Sequence, residues 1–143
     1  MKLKKYVFSV TFIMIFILVS GLSYADQDRD KDKRKYEVTI TNLTRGQVFS
    51  PPIVIRHSRN FNLFKLGDPA SDGLALLAEE GNPEDLIDEL NPKFDYAVAD
   101  GPVLPGASES VTLKIDKRGR GSLISVAGML VTTNDAFFAV RDI

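Results

Sequence analysis

Two stretches of the chain alternate strictly between apolar and polar residues. Tyr36, Val38 and Ile40 alternate with Glu37, Thr39 and Thr41, and Val111, Leu113 and Ile115 alternate with Thr112, Lys114 and Asp116. A period of two, rich in β-branched residues, predicts half-buried strands. A further extended segment runs through Val54 and Ile55, with Pro51-Pro52 confining its start to a sheet edge or a strand entry. Leu123 to Val131 is almost continuously apolar, as a central strand covered on both faces would be. Asn134-Asp135 interrupts it, and Ala136 to Val140 begins another strand. Residues 94–99 also read as extended.

Between the strands the pattern changes. Phe61, Leu63, Phe64 and Leu66 make an apolar patch that ends at Gly67-Asp68-Pro69. Ser71 is placed to cap a short helix, SDGLALLAEEG, that Gly81 closes. Asn82-Pro83-Glu84-Asp85 opens a second helix, with a capping residue, proline at the first helical position and acids in the first turn. Leu86, Ile87 and Leu90 supply its buried side. Thr44 to Gln47, Gly101-Pro102 with Pro105-Gly106, and the Lys117 to Gly121 segment read as turns. Strand-rich ends around short helices predict a mainly β domain, a β-sandwich with one or two short helical insertions.

The N-terminus sets the compartment. Lys2, Lys4 and Lys5 precede an apolar run over residues 7–22, and Ser23-Tyr24-Ala25 puts small residues at −3 and −1 of a cleavage site. Residues 1–25 therefore read as a cleavable signal peptide, with an uncleaved anchor as the alternative. Residues 26–35 are a run of mixed charge without apolar residues, read as a solvated tail. Asp26, Asp28, Asp30 and Glu37 fall at positions 1, 3, 5 and 12 of a calcium-loop pattern. Lys31 stands where that loop needs glycine, and the cations inside it would repel Ca²⁺, so the match reads as coincidence.

With the leader removed, 19 acidic residues face the basic ones left after Lys2, Lys4 and Lys5 go, a formal charge of about −4. That balance excludes the basic face a nucleic-acid partner requires. The chain has no cysteine, which excludes thiolate catalysis, thiolate metal sites and disulfides, and leaves the core to hold the fold.

Candidate chemistry is sparse. His57, the one histidine, shares a strand face with Ile53 and Ile55, which suits a structural residue better than a catalytic base. Ser58 and the many Asp residues leave a Ser-His-Asp arrangement countable, but no serine lies on a strand–elbow–helix motif. Glu79-Glu80 and Asp85, Asp88 and Glu89 read as solvated helix faces. The Phe61–Phe64 patch beside Arg56 and Arg59 reads as a satellite core under the helices, or else as an exposed recognition patch. Asn42-Leu43-Thr44 matches a glycosylation sequon. Asn134-Asp135 is, on its own residues, a turn.

Two segments resemble the spondin N-terminal domain family, its bacterial members in particular. The first is Leu74 to Asn82, LALLAEEGN, and the second is Ser125 to Ala139, SVAGMLVTTNDAFFA. The strand from Tyr36 to Thr44 and the Gly101–Gly106 turn fit as well, so the resemblance spans about Tyr36 to Val140. It implies a C2-like antiparallel β-sandwich over residues 36–143, extracellular display, and calcium bound partly by Asp135. The family's further acidic calcium motif would fall beyond Ile143, so the reading is of a domain whose C-terminal part is missing, with an unpaired edge beside Ala136–Val140. The implied function is a secreted or periplasmic binding or adhesion module without enzymatic activity, recognising an extracellular-matrix, cell-surface or envelope component. The alternatives are a small extracytoplasmic hydrolase using His57 and a C2-like peripheral membrane-binding module, although a basic apolar loop pair is lacking.

Overall fold

The computed structural model describes residues 33–92, 94–116 and 123–143. The expected signal peptide, most of the charged stretch read as a tail and the expected turn at Lys117–Gly121 lie outside the described residues. Arg34–Ile143 form one compact unit. Its strands are β1 (Lys33–Thr41), β2 (Ile53–His57), β3 (Asp95–Val98), β4 (Ser108–Asp116), β5 (Leu123–Met129) and β6 (Phe137–Val140). Two short helices, α1 (Asp72–Glu80) and α2 (Glu84–Glu89), fall between β2 and β3. The fold is mainly β, a sandwich of two antiparallel sheets, with β1 reaching back to Lys33 beyond the alternation that starts at Tyr36.

The larger sheet has the order β3-β2-β5-β6 and the smaller is β1-β4. Ile53 pairs with both Val98 and Ala127, and Val126 pairs with both Val54 and Val140. Thr39 and Ser110, and Thr41 and Ser108, join hydroxyls across the smaller sheet at 2.9 and 2.8 Å. β2 and β5 occupy the middle of the larger sheet, which is why their sequences are apolar on both faces. Pro51 and Pro52 precede β2, so no proline nitrogen falls inside the strand, and the Pro52 carbonyl accepts from the Ala99 N–H at 2.9 Å.

Alternation along β2 divides the interior in two. Val54 faces the smaller sheet and packs with Val111, Leu113, Ile115 and Val126. Ile53 and Ile55 face the other way and pack with Leu63, Leu74, Leu77, Leu86, Leu90 and Ala127. The helices are thus a third layer, and the Phe61–Phe64 patch belongs to it as a satellite of the second core. Each fully buried Ile or Leu contributes about 1.5–3 kcal/mol, so both cores are needed to offset the chain entropy.

Local signals set the helices. Ser71 Oγ accepts from the Leu74 N–H, and Gly81, at φ 72°, closes α1 in the left-handed region. In α2 the capping position is taken by Pro83, one residue later than its sequence predicts. Asn82 Oδ1 still accepts from the Glu84 N–H at 3.0 Å, so it supports the helix start from outside. The helices approach closely because Gly73 has no side chain: a Cβ there would lie 2.6 Å from the Leu86 backbone.

Candidate functional site

The β1–β2, β3–β4 and β5–β6 connections lie at one end of the sandwich. Three loops meet there, over residues 42–52, 99–107 and 130–136. Asn42 binds the first two together. It is fully buried, and its Nδ2 donates to the carbonyls of Gln47 at 2.7 Å and Val103 at 2.8 Å. Its Oδ1 accepts from the N–H and the hydroxyl of Thr44, which bends the chain back. The side chain of the sequon is therefore a structural node sealed inside the protein.

Phe49 and Ser50 bind the third loop. Phe49 bridges Val103 and Leu130, and Ser50 exchanges bonds with Met129 through its own N–H and its Oγ. Val131 N–H reaches the Val48 carbonyl, and Thr132 Oγ1 donates to Gln47 Oε1 at 2.6 Å. On this braced frame stand Leu43, 86 % exposed, Leu104, 56 %, and Val131, 44 %. Three aliphatic side chains on three cross-linked loops, held out into water, form an interaction surface with little freedom left to lose.

Asp135 lies on the third of these loops and is exposed. The loop is shaped by Thr133, whose Oγ1 donates to the Leu130 carbonyl and accepts from the Ala136 N–H. Calcium takes six to eight oxygen ligands, several from carboxylates. Among the described residues no three His, Asp or Glu side chains gather, at Asp135 or elsewhere. These residues do not by themselves assemble a calcium shell.

His57 sits at the opposite end of β2, with no solvent exposure. Its Nδ1 lies 2.9 Å from the Ser58 carbonyl and its Nε2 lies 2.8 Å from Ser125 Oγ. A carbonyl only accepts, so Nδ1 carries a proton, and in the neutral ring Nε2 accepts from the Ser125 hydroxyl. Asp142 Oδ1 approaches Nε2 to 3.8 Å. In a catalytic triad the carboxylate holds Nδ1 and the serine faces a substrate. Here serine and carboxylate share one nitrogen, and Ser125 is as buried as His57. His57 and Ser125 are a satisfied buried pair, with Asp142 at its exposed margin.

Asp142 reaches it through a bulge. Val126 stands opposite Val140, while Ile124 exchanges both backbone bonds with Ile143, so Ser125 faces Arg141 and Asp142 together. Asp142 takes φ 61° to do so. Arg141 donates to the Phe64 carbonyl and lies over the Phe64 ring, fastening the bulge to the satellite core. Neither feature is visible in local sequence. The acids of the helices, Glu79, Glu80, Asp85, Asp88 and Glu89, are all exposed.

No helix among the described residues is long and apolar enough to cross a membrane. The model of the Spondin_N family matches residues 34–143, and the chain belongs to that family. No curated protein matches it.

Proposed function

Since the chain belongs to the spondin N-terminal family, an extracellular-type and non-catalytic class of binding domain, we propose that it is a secreted or periplasmic binding module. Its partner is an extracellular-matrix, cell-surface or envelope component. Recognition runs through the loop end that carries Leu43, Leu104 and Val131. The observation that supports this reading is the exposure of Leu43 and Leu104 on loops cross-braced by Asn42. An aliphatic side chain left in water on a rigid frame gains free energy only when something covers it.

Charge favours a protein or glycoprotein partner over a bilayer. Arg45, Asp100 and Asp135 stand exposed on the three loops of this end. Anionic lipid would need a cationic surround for its aliphatic anchors. Calcium enters only through Asp135; the described residues gather no shell around it, so the recognition proposed here does not run through the ion. The test replaces Leu43 and Leu104 by aspartate and measures saturable binding to matrix and envelope preparations, with liposome flotation as the competing outcome. Loss of matrix or envelope binding in the variant supports the reading, whereas flotation of the unmodified protein transfers it to the bilayer.

A further inference from the structure

A second site lies at the other end of the sandwich, where the 58–62 loop follows β2 and where Asn91 and Phe94 lie between α2 and β3. A cleft of about 450 Å³ opens there, lined by Arg56, Asn60, Phe61, Glu89, Asn91 and Phe94, with Ser58 at its margin. That volume is within the range of small-ligand sites.

The floor is aromatic and fixed. Phe61 and Phe94 pack edge to face with centroids 5.1 Å apart, and both lean on the buried His57 ring, at 4.9 and 6.2 Å. Both remain only half-buried, so ring surface is left to the cleft. The rim is polar and also held in place. Arg56 Nε and Nη2 donate to Asp95 Oδ2 at 2.8 and 2.5 Å, and Glu89 Oε1 accepts from the Gly73 N–H at 2.6 Å. Asn60 is exposed, and its amide offers both a donor and an acceptor.

These features narrow the ligand. Asp95 answers the charge of Arg56, and Glu89 adds a negative one, so the lining itself offers no net positive charge to a polyanion. A purely apolar ligand would take water from the Glu89 carboxylate and the Asn60 amide. A ring with one C–H face and a girdle of hydroxyls meets both demands: its face lies on the aromatic floor, and its hydroxyls donate to Glu89 and accept from the Asn60 amide. We propose that this cleft binds a neutral pyranose saccharide. The inference does not depend on the loop end.

The probes are cellotriose and chitotriose, added to the protein and followed by titration calorimetry and by the aromatic ring resonances, with a heparin oligosaccharide as the polyanion. At least one trisaccharide is expected to bind in the millimolar range or tighter and to shift the Phe61 and Phe94 resonances. Asn60→Ala and Phe61→Leu should each weaken it about tenfold, and L43D with L104D should leave it unchanged. Asn60 is on the surface, so its variant serves even where Phe61→Leu disturbs folding. Neither trisaccharide binding at about 10 mM, binding that survives Asn60→Ala, or preference for heparin would each overturn the proposal.

Discussion

Asn42 Nδ2 donates to the Val103 carbonyl at 2.8 Å, between two residues 61 positions apart that are both shut off from solvent. The same nitrogen holds the Gln47 carbonyl. One amide thus fixes the geometry of two of the three loops that present Leu43 and Leu104.

Replacing Asn42 tests that role. Asn42→Ala takes one donor from each of the Gln47 and Val103 carbonyls, which keep the Thr44 hydroxyl and the Phe49 N–H, and should cost about 1–3 kcal/mol. Asn42→Asp should cost more, because a carboxylate would face those carbonyls instead of a donor. Denaturant unfolding of both variants checks the order. Equal stability of the three proteins would mean that the node does not hold the loops.

The His57–Ser125 pair should behave as core. Ser125→Ala removes the partner of a buried nitrogen and is expected to cost about 1–3 kcal/mol. His57→Ala should exceed it, since a cavity opens between Phe61 and Phe94 as well. A double-mutant cycle by chemical unfolding should give coupling of about 0.5–3 kcal/mol. Ester or peptide hydrolysis that disappears with His57→Ala would instead make the cluster catalytic.

Two glycines permit close approaches of different kinds. At Gly128 a Cβ would meet the Phe138 ring at 2.6 Å, and at Gly73 the Leu86 backbone at the same distance. A ring edge shifts more easily than a backbone. Gly128→Ala should therefore cost about 1–3 kcal/mol, and Gly73→Ala more, despite the better helix propensity of alanine. Thermal midpoints give the ranking, and a stabilised Gly73→Ala would show that α1 and α2 are free to separate.

Calcium can be tested on the same protein. A single carboxylate at Asp135 predicts no change in the unfolding midpoint with calcium at about 1 mM, relative to EDTA. A saturable rise that Asp135→Ala abolishes would show that a shell forms with oxygens outside the set seen here.

Much of the framework was legible in short stretches. Val111, Leu113 and Ile115 alternate because one side of β4 is buried, and Ser71 and Gly81 mark the ends of α1 by backbone demands that hold in any context. The apolar run from Leu123 announced the covered strand β5. Pairing was not legible, because β1 finds β4 and β2 finds β5 across long separations that no local pattern encodes. Asn42 read only as part of a sequon match, since a polar residue between a strand and a turn gives no sign of burial. The approach of Asp142 to His57 depends on a bulge that only the register of β5 and β6 creates. Asp135 was drawn from family resemblance; the structure places it on the loop end, and its role as a ligand is a matter for the calcium titration.

The most direct measurement is saturation binding of the labelled protein, unmodified and as the L43D/L104D variant, to immobilised matrix and envelope preparations, with circular dichroism confirming that both are folded. The account predicts a saturable isotherm for the unmodified protein and at least a tenfold weaker one for the variant, about 1.4 kcal/mol or more. Identical isotherms from two folded proteins would contradict it, and would place recognition away from the loop end.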